Sequence, residues 1–371
     1  MIYQREIDDA YKRAKDVLNK CTTKKGFYAA FPGYAGVWSR DSIITSIGAS
    51  LLNDDLMKET FKQSLITLSK NQSKKGQIPN AVIKGKAEYK SIDSTLWFVL
   101  GHYLYKRRYN DSTLIKKHKS SISNALKWLS YQDMGEDLML EQLPTTDWQD
   151  AFPHKYGHVI NTQALYYKVL SLEEKKSDAL KLKKRTNTDK DDKLWQGNYY
   201  LPWRWKNHNK YTEFGEWFDS LGNLLSIIFE LADKSQANKI IRHIKNKKID
   251  KPYPVKAIYP LIKPKTKDWQ NYFKDCEAGK ANHYLNAGIW TFIGGFYVLA
   301  LVKLKKFKEA EKQLKMLAKA NLQKPYFSEW LHGKTGKPGV SGTGSKEGNQ
   351  AWNAGMYIAA YESVKRKKSV I

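Results

Sequence analysis

Tyr284-Leu-Asn-Ala-Gly-Ile-Trp-Thr-Phe-Ile-Gly-Gly-Phe-Tyr-Val-Leu-Ala-Leu-Val302 runs for nineteen residues without a charge, and its reading decides what kind of molecule this is. The length approaches that of a helix able to cross a bilayer. Asn286, three glycines and several aromatics interrupt the run, however, and Lys303 follows it directly. That pattern suits a helix buried on every side inside a large helical protein. No membrane role is expected.

Outward from this stretch, apolar residues recur at helical spacing almost everywhere, while strand-like alternation is scarce. The spacing predicts twelve helices, over 3–20, 39–53, 55–71, 92–107, 112–131, 157–171, 172–193, 214–231, 234–246, 285–304, 306–321 and 349–366. The odd-numbered ones are lysine-rich and amphipathic. The even-numbered ones carry more Gly, Ala, Trp and Tyr and less charge. Two concentric rings need this alternation, because an outer helix wets one face and an inner helix wets almost none. The expected fold is therefore all-α, an (α/α)6 barrel forming a single domain over residues 1–371. An open solenoid is the rival, but no repeat of fixed period is visible. Residues 186–193 read as an exposed turn, 247–267 with four prolines as a long ordered loop, and 333–348 with six glycines as a flap.

Composition narrows the function. Apolar residues make up 41% and aromatics 13%, too much for a disordered chain. Cys21 and Cys276 provide no disulfide framework or metal-ligand spacing. Residues 1–20 are charged throughout and lack the apolar stretch of a signal peptide, so a reducing, cytoplasmic setting is expected. The formal charge is +27, yet only nine of the 64 basic residues are arginine. Readers of nucleic acid favour arginine forks. Lysines dispersed along helices instead describe a solvated outer surface, with only weak attraction to polyanions and no specific nucleic acid partner.

The unusual chemistry lies just before the inner helices: Gly33 to Asp41, Tyr89 to Trp97, Pro144 to His158, Phe214 to Asp219, Asn282 to Asn286 and Gly348 to Trp352. A barrel gathers these six connections at one end, around one polar, aromatic-lined pocket. In Pro144-Thr-Thr-Asp-Trp-Gln-Asp-Ala-Phe152, Asp147 and Asp150 bracket Trp148, the pattern of a sugar site where carboxylates hold hydroxyls and an indole covers the apolar face. Glu329 lies between aromatics in Tyr326-Phe-Ser-Glu-Trp330. Cleaving an acetal by inversion needs an acid on the leaving oxygen and a base on the opposite face. Asp150 is the candidate acid, since Trp148, Ala151 and Phe152 can desolvate it, and Glu329 is the candidate base. Asp147 is the rival acid or a hydroxyl ligand. Arg40 and Asp41 beside Trp38 read either as a sugar-binding pair or as a helix-start acid with a structural arginine. Asp93 reads as a site residue or an N-cap. Trp352, Trp290 and Trp217 are stacking platforms or core, with core favoured for Trp290. Asp219, Gln350, His283 and His332 complete the substrate-binding set. The histidines lack metal-ligand spacing, and neither a phosphate loop nor a nucleophile elbow is present. No cofactor is expected.

Taken in order, Trp38-Ser-Arg-Asp41, Ile92-Asp-Ser-Thr-Leu-Trp97, Asp147-Trp-Gln-Asp-Ala151, Phe327-Ser-Glu-Trp330 and Gln350-Ala-Trp352 resemble the six-hairpin glycosidases, across residues 33–362. Two branches are similar: the glucosidase domain of glycogen-debranching enzymes (amylo-alpha-1,6-glucosidase) and the neutral/alkaline invertases. The resemblance implies an inverting, metal-free hydrolase with an Asp acid and a Glu base, roles that match Asp150 and Glu329. Gln149 replaces a usual Met, and Asn286-Ala287-Gly288 replaces Asn-Gly-Gly. A chain this compact is expected to act on a small α-linked saccharide or a chain end, releasing glucose, with sucrose the rival substrate. The alternatives are an inactive barrel that binds polyanions or saccharide, and a phosphorolytic enzyme.

Overall fold

The computed structural model describes residues 2–208, 211–275, 279–340 and 348–371. Thirteen α-helices appear among them. The first seven are α1 (Ile2–Cys21), α2 (Ser39–Ala49), α3 (Asp55–Lys70), α4 (Asp93–Tyr109), α5 (Thr113–Lys117), α6 (Lys119–Ser130) and α7 (Ile160–Leu172). The remainder are α8 (Lys176–Thr188), α9 (Ser220–Ile228), α10 (Lys234–Asn246), α11 (Thr291–Lys303), α12 (Phe307–Asn321) and α13 (Ala351–Arg366).

Burial divides them as the charge pattern predicts. All eleven residues of α2 and all nine of α9 are buried, as are Thr291 through Val302 of α11. By contrast α10 buries only the stripe Gln236, Ala237, Ile240, Ile241 and Ile244, the spacing of a one-sided helix. Its start is fixed by a capping box, with the Asp233 carboxylate accepting from the Gln236 N–H and the Gln236 side chain returning the bond. The buried helices pack in sequence, α2 on α4, α4 on α7, α7 on α9, α9 on α11, α11 on α13, and α13 back on α2. Each of five carries a lysine-rich neighbour outside it: α3 on α2, α8 on α7, α10 on α9, α12 on α11, and α1 on α13. At the α2–α13 seam the backbones nearly touch. A Cβ on Gly48 would stand 1.8 Å from the Gly355 carbonyl oxygen, so no larger residue fits there.

Four expectations are corrected. The helix read over 214–231 begins only at Ser220, because Tyr211–Phe214 and Phe218–Asp219 are strands. The helix read over 112–131 is broken at His118, whose Nδ1 lies 2.9 Å from Nε2 of the buried His102; turning inward to that partner interrupts the axis. The helix read from 285 starts only at Thr291, because Tyr284 and Ala287 hold φ of 40° and 65°, conformations a right-handed helix cannot include. Strands were also under-read. Thirteen occur among the described residues, but most span two or three residues, too short to show alternation. They brace the starts of inner helices, as where Val37–Trp38 pairs with Ala81–Ile83 and Asn349–Gln350 pairs with Ala30–Phe31. Cys276, and residues 341–347 of the expected flap, lie outside the described residues. No described helix is long and apolar enough to cross a membrane.

Candidate active site

At the N-terminal ends of the buried helices lies a cavity of about 120 Å³ lined by Tyr34, Trp38, Arg40, Asp41, Trp148, Asp150, Tyr284, Trp290, Glu329, Gln350 and Trp352. Most of these were singled out from sequence, and residues 150 and 329 stand among them. Each is placed by a different device. Arg40 and Asp41 occupy the first turn of α2, anchored where the Ser39 N–H donates to the Asn80 carbonyl at 2.9 Å. The Glu329 loop is held by a reciprocal backbone pair between Leu331 and Ile289, each bond 2.8 Å, and by Asn353 of α13, whose Nδ2 donates to the Ser328 carbonyl at 2.7 Å. The Asp150 loop is pinned by the Ile92 N–H donating to the Thr146 carbonyl at 2.8 Å and by Phe152 packed on Phe273.

The two carboxylates differ in setting. Glu329 is buried and accepts a hydrogen bond at 3.0 Å from Tyr284 Oη. Asp150 is reached by solvent, yet protein surrounds it closely enough that lost hydration raises its pKa above the ordinary carboxylate value, while Arg40 opposes the rise. Both hold if Asp150 stands in a narrow opening, accessible but poorly hydrated. Tyr284 itself sits at φ 40°, a strained conformation for a residue with a side chain, of the sort that collects at functional sites. Gly288 is needed beneath it, since a Cβ there would lie 2.2 Å from the Tyr284 carbonyl oxygen.

Arg40 is the cavity's cation. Its Nη2 lies 3.4 Å from Asp41 Oδ2 and its Nη1 3.5 Å from Asp93 Oδ2. Burial alone would lower its pKa, but Asp93, Asp41 and Asp150 more than offset this and it remains charged. Burial also pushes both Asp41 and Asp93 up, against the pull of Arg40; two dry carboxylates sharing one cation are not both cheaply ionised. The group is imperfectly satisfied. Arg40 Nε, Asp41 Oδ2 and Asp93 Oδ1 lack hydrogen-bond partners, as do the indole N–H groups of Trp38, Trp148 and Trp352. So many unpartnered donors and acceptors in one buried place leave hydrogen-bonding capacity for a polar ligand.

The remaining sequence candidates stand elsewhere. Asp93 does not cap α4; it supports Arg40 from beneath the cavity. Asp147 and Asp219 are absent from the lining. They converge instead on the wholly buried Lys155, whose Nζ is 2.8 Å from Asp147 Oδ2, 3.1 Å from Asp219 Oδ2 and 2.6 Å from Gln149 Oε1. Asp219 also caps α9. Trp217 is buried outside the cavity. His283 and His332 pack edge-on at 5.0 Å beside Trp330, with His332 Nδ1 accepting from the backbone of Lys334 and Thr335. Trp290, favoured as core, lines the cavity and donates to the Tyr284 carbonyl at 2.8 Å. Sequence reading missed Tyr34, Tyr284 and Lys155. Among the described residues no group of three His, Cys, Asp or Glu side chains is arranged to hold a metal.

The sequence falls in a family of glycoside hydrolases. The chain belongs to the amylo-alpha-1,6-glucosidase family, whose model matches residues 12–333. Solved structures of similar fold include a GH63 mannosylglycerate hydrolase from Thermus thermophilus in complex with glucose, at TM-score 0.66 and 11% identity over 94% of this chain and 98% of that one. A wild-type glycosidase superposes at TM-score 0.70 and 12% identity over 97% of each chain. An uncharacterized conserved protein, also from Thermus thermophilus, gives 0.66 and 10% over 95% and 99%. At such identities the likeness speaks for the fold alone. No curated protein matches the sequence.

Proposed function

We propose that the protein is an inverting α-glucosidase built on an (α/α)6 barrel, removing glucose from the end of an α-linked saccharide of the debranching type. The unbroken circuit of buried helices, backed by outer helices, supports the barrel. The observation that carries the activity is that Asp150 and Glu329 line one cavity with three indoles whose N–H groups lack partners. In this reading Asp150, its pKa raised by lost hydration, protonates the glycosidic oxygen. Glu329, oriented by Tyr284, takes a proton from water as that water attacks the anomeric carbon from the other face. Arg40 and Asp41 hold hydroxyls, and the indoles cover the sugar's apolar faces.

A second cleft, of about 560 Å³, shares Trp38 and Asp150 with the cavity and continues past Asn80, Tyr89, Trp128 and Gln142. Glucose fills the inner cavity, and the leaving group lies in this outer cleft with the acid at the boundary. That arrangement favours an oligosaccharide over sucrose.

The test assays the unaltered protein, Asp150→Asn and Glu329→Gln on isomaltose, maltose, trehalose, sucrose and limit dextrin, reading the first product anomer by NMR. We expect β-glucose, and a loss of about 10²–10⁴-fold in each variant. Turnover surviving both changes, or α-glucose as first product, overturns the assignment; turnover of sucrose alone overturns the reading of the cleft.

A further inference from the structure

The outer cleft adjoins a further hollow along Gln132, Glu141, Gln142 and Leu143, four residues that line both. This hollow occupies about 500 Å³. Much of its lining comes from one sheet, in which Trp203–His208 pairs with Gly157–Val159 and that strand pairs with Glu141–Gln142. The pairing brings Tyr156 and Trp205 into the lining. The Trp205 indole packs against Gly157, where a Cβ would stand 2.8 Å from its Cε3. Tyr131, the residue after α6, and Met134 complete the apolar part.

Two properties separate this hollow from the sugar cavity. Its apolar side chains stand in solvent: Tyr131 is 62% exposed, Met134 72% and Leu143 73%. Surfaces ordinarily scatter such groups singly, and a cluster of them around a concavity marks a contact surface. Its polar side chains are also already engaged. Gln142 donates to Asp147 at 3.3 Å and accepts from Thr162 at 2.5 Å. The Glu141 carboxylate accepts from the Met134 N–H at 2.9 Å and meets His158 Nε2 at 3.4 Å. The Tyr156 hydroxyl donates to Glu213, His154 Nδ1 lies 2.9 Å from the Tyr272 hydroxyl, and Gln132 Nε2 donates to the Trp128 carbonyl at 3.1 Å.

A sugar ring lodged here would lose water from its hydroxyls and find few bonds in exchange. What these walls reward is apolar area removed from water. Indole and phenol faces and a thioether favour a flat ring over a branched aliphatic group. The hollow's shared wall with the outer cleft identifies its occupant as the far end of the molecule whose leaving group fills that cleft.

We infer that the substrate is an amphiphilic glycoside, an α-linked saccharide whose far end carries an aromatic aglycone seated among Tyr131, Met134, Leu143, Tyr156 and Trp205. The inference rests on the outer cleft receiving the leaving saccharide, as proposed above. With a sugar unit between the aglycone and the bond that is cut, the aromatic group acts through binding and not through leaving-group chemistry.

Calorimetry on the full, unaltered chain tests this, using isomaltose glycosides with sulfur in place of the oxygen between the glucose units, so that neither ligand is cleaved. The 1-naphthyl glycoside is expected to bind about tenfold more tightly than the methyl glycoside. Tyr131→Ser with Met134→Ser, both solvent-exposed positions, should reduce that ratio below about threefold while leaving the methyl glycoside's affinity unchanged. Trp205→Ser serves as a second variant should the pair disturb folding. Equal affinity of the two ligands, or a preference undiminished in both variants, overturns the inference. So does an equal gain from sulfur-linked isomaltotriose, which would make the hollow a sugar subsite, or a dimer that Met134→Ser dissociates, which would give the surface to a second copy. Hydrolysis of isomaltose without naphthyl preference overturns this inference alone. Naphthyl preference without hydrolysis of any oxygen-linked saccharide overturns the proposed function alone, and saturable binding of neither ligand overturns both.

Discussion

Two buried charge clusters lie near the cavity, built from the same residue types and put to opposite use. Around Lys155, three short bonds of 2.6, 2.8 and 3.1 Å engage all three ammonium hydrogens, and the cluster is sealed from solvent. Around Arg40 the ion pairs stretch to 3.4 and 3.5 Å, and a donor on the arginine and an oxygen on each carboxylate lack hydrogen-bond partners. In the first cluster the cation is fully engaged, with only the Gln149 Nε2 left without a partner, and the cluster ties the Asp150 loop to the start of α9. The second is unfinished, and in the proposed function a saccharide completes it. Saturation of the cation, more than charge or burial, separates the two clusters.

That contrast can be broken experimentally. Lys155→Met leaves Asp147 and Asp219 buried without their cation, and unfolding in urea should show a loss of about 3–5 kcal/mol. Arg40→Met should lose less stability, since its bonds are long, but should reduce kcat/KM by about 10²-fold. Equal stability losses in the two variants would erase the distinction.

The pH profile sharpens it. In the proposed mechanism Asp150 acts only while protonated, and desolvation raises its pKa, so kcat/KM should fall as pH rises through a value above the usual carboxylate range. Arg40 favours the ionised form of Asp150; its removal should shift this alkaline limb further upward, measured in the residual activity of Arg40→Met. Tyr284→Phe deletes one bond to a buried carboxylate and should lower kcat/KM about tenfold. Smallest of all, Trp217→Phe, a packing change outside the cavity, should alter kcat/KM by less than about twofold, within the range of a conservative core swap.

Much of this was legible in the residues. The lysine alternation marked outer and inner helices because burial on one face or on all faces leaves different compositions. Asp150 and Glu329 stood out because carboxylates flanked by aromatics have few structural uses. Asp147 and Asp219 stood out for the same reason and lie instead on Lys155, since a sequence does not show which neighbour a carboxylate meets. Lys155 itself was one lysine among dozens. Tyr284 was hidden inside a charge-free run read as helix; the signal available was Asn286-Ala287-Gly288, whose asparagine side chain staples the loop by bonding Ile262 and Gly279. Tyr34 lay in plain view, four residues ahead of Trp38, in a loop weighed for its charges alone.

The glycine seam between α2 and α13 carries a last implication. Arg40 and Asp41 head one of these helices, Gln350 and Trp352 head the other, and some three hundred residues of chain separate them. A polypeptide emerging from the ribosome holds one wall of the cavity long before the other exists, and contacts so distant in order close late. The cavity is therefore assembled only when these two helices dock, which makes its closure a late event in folding.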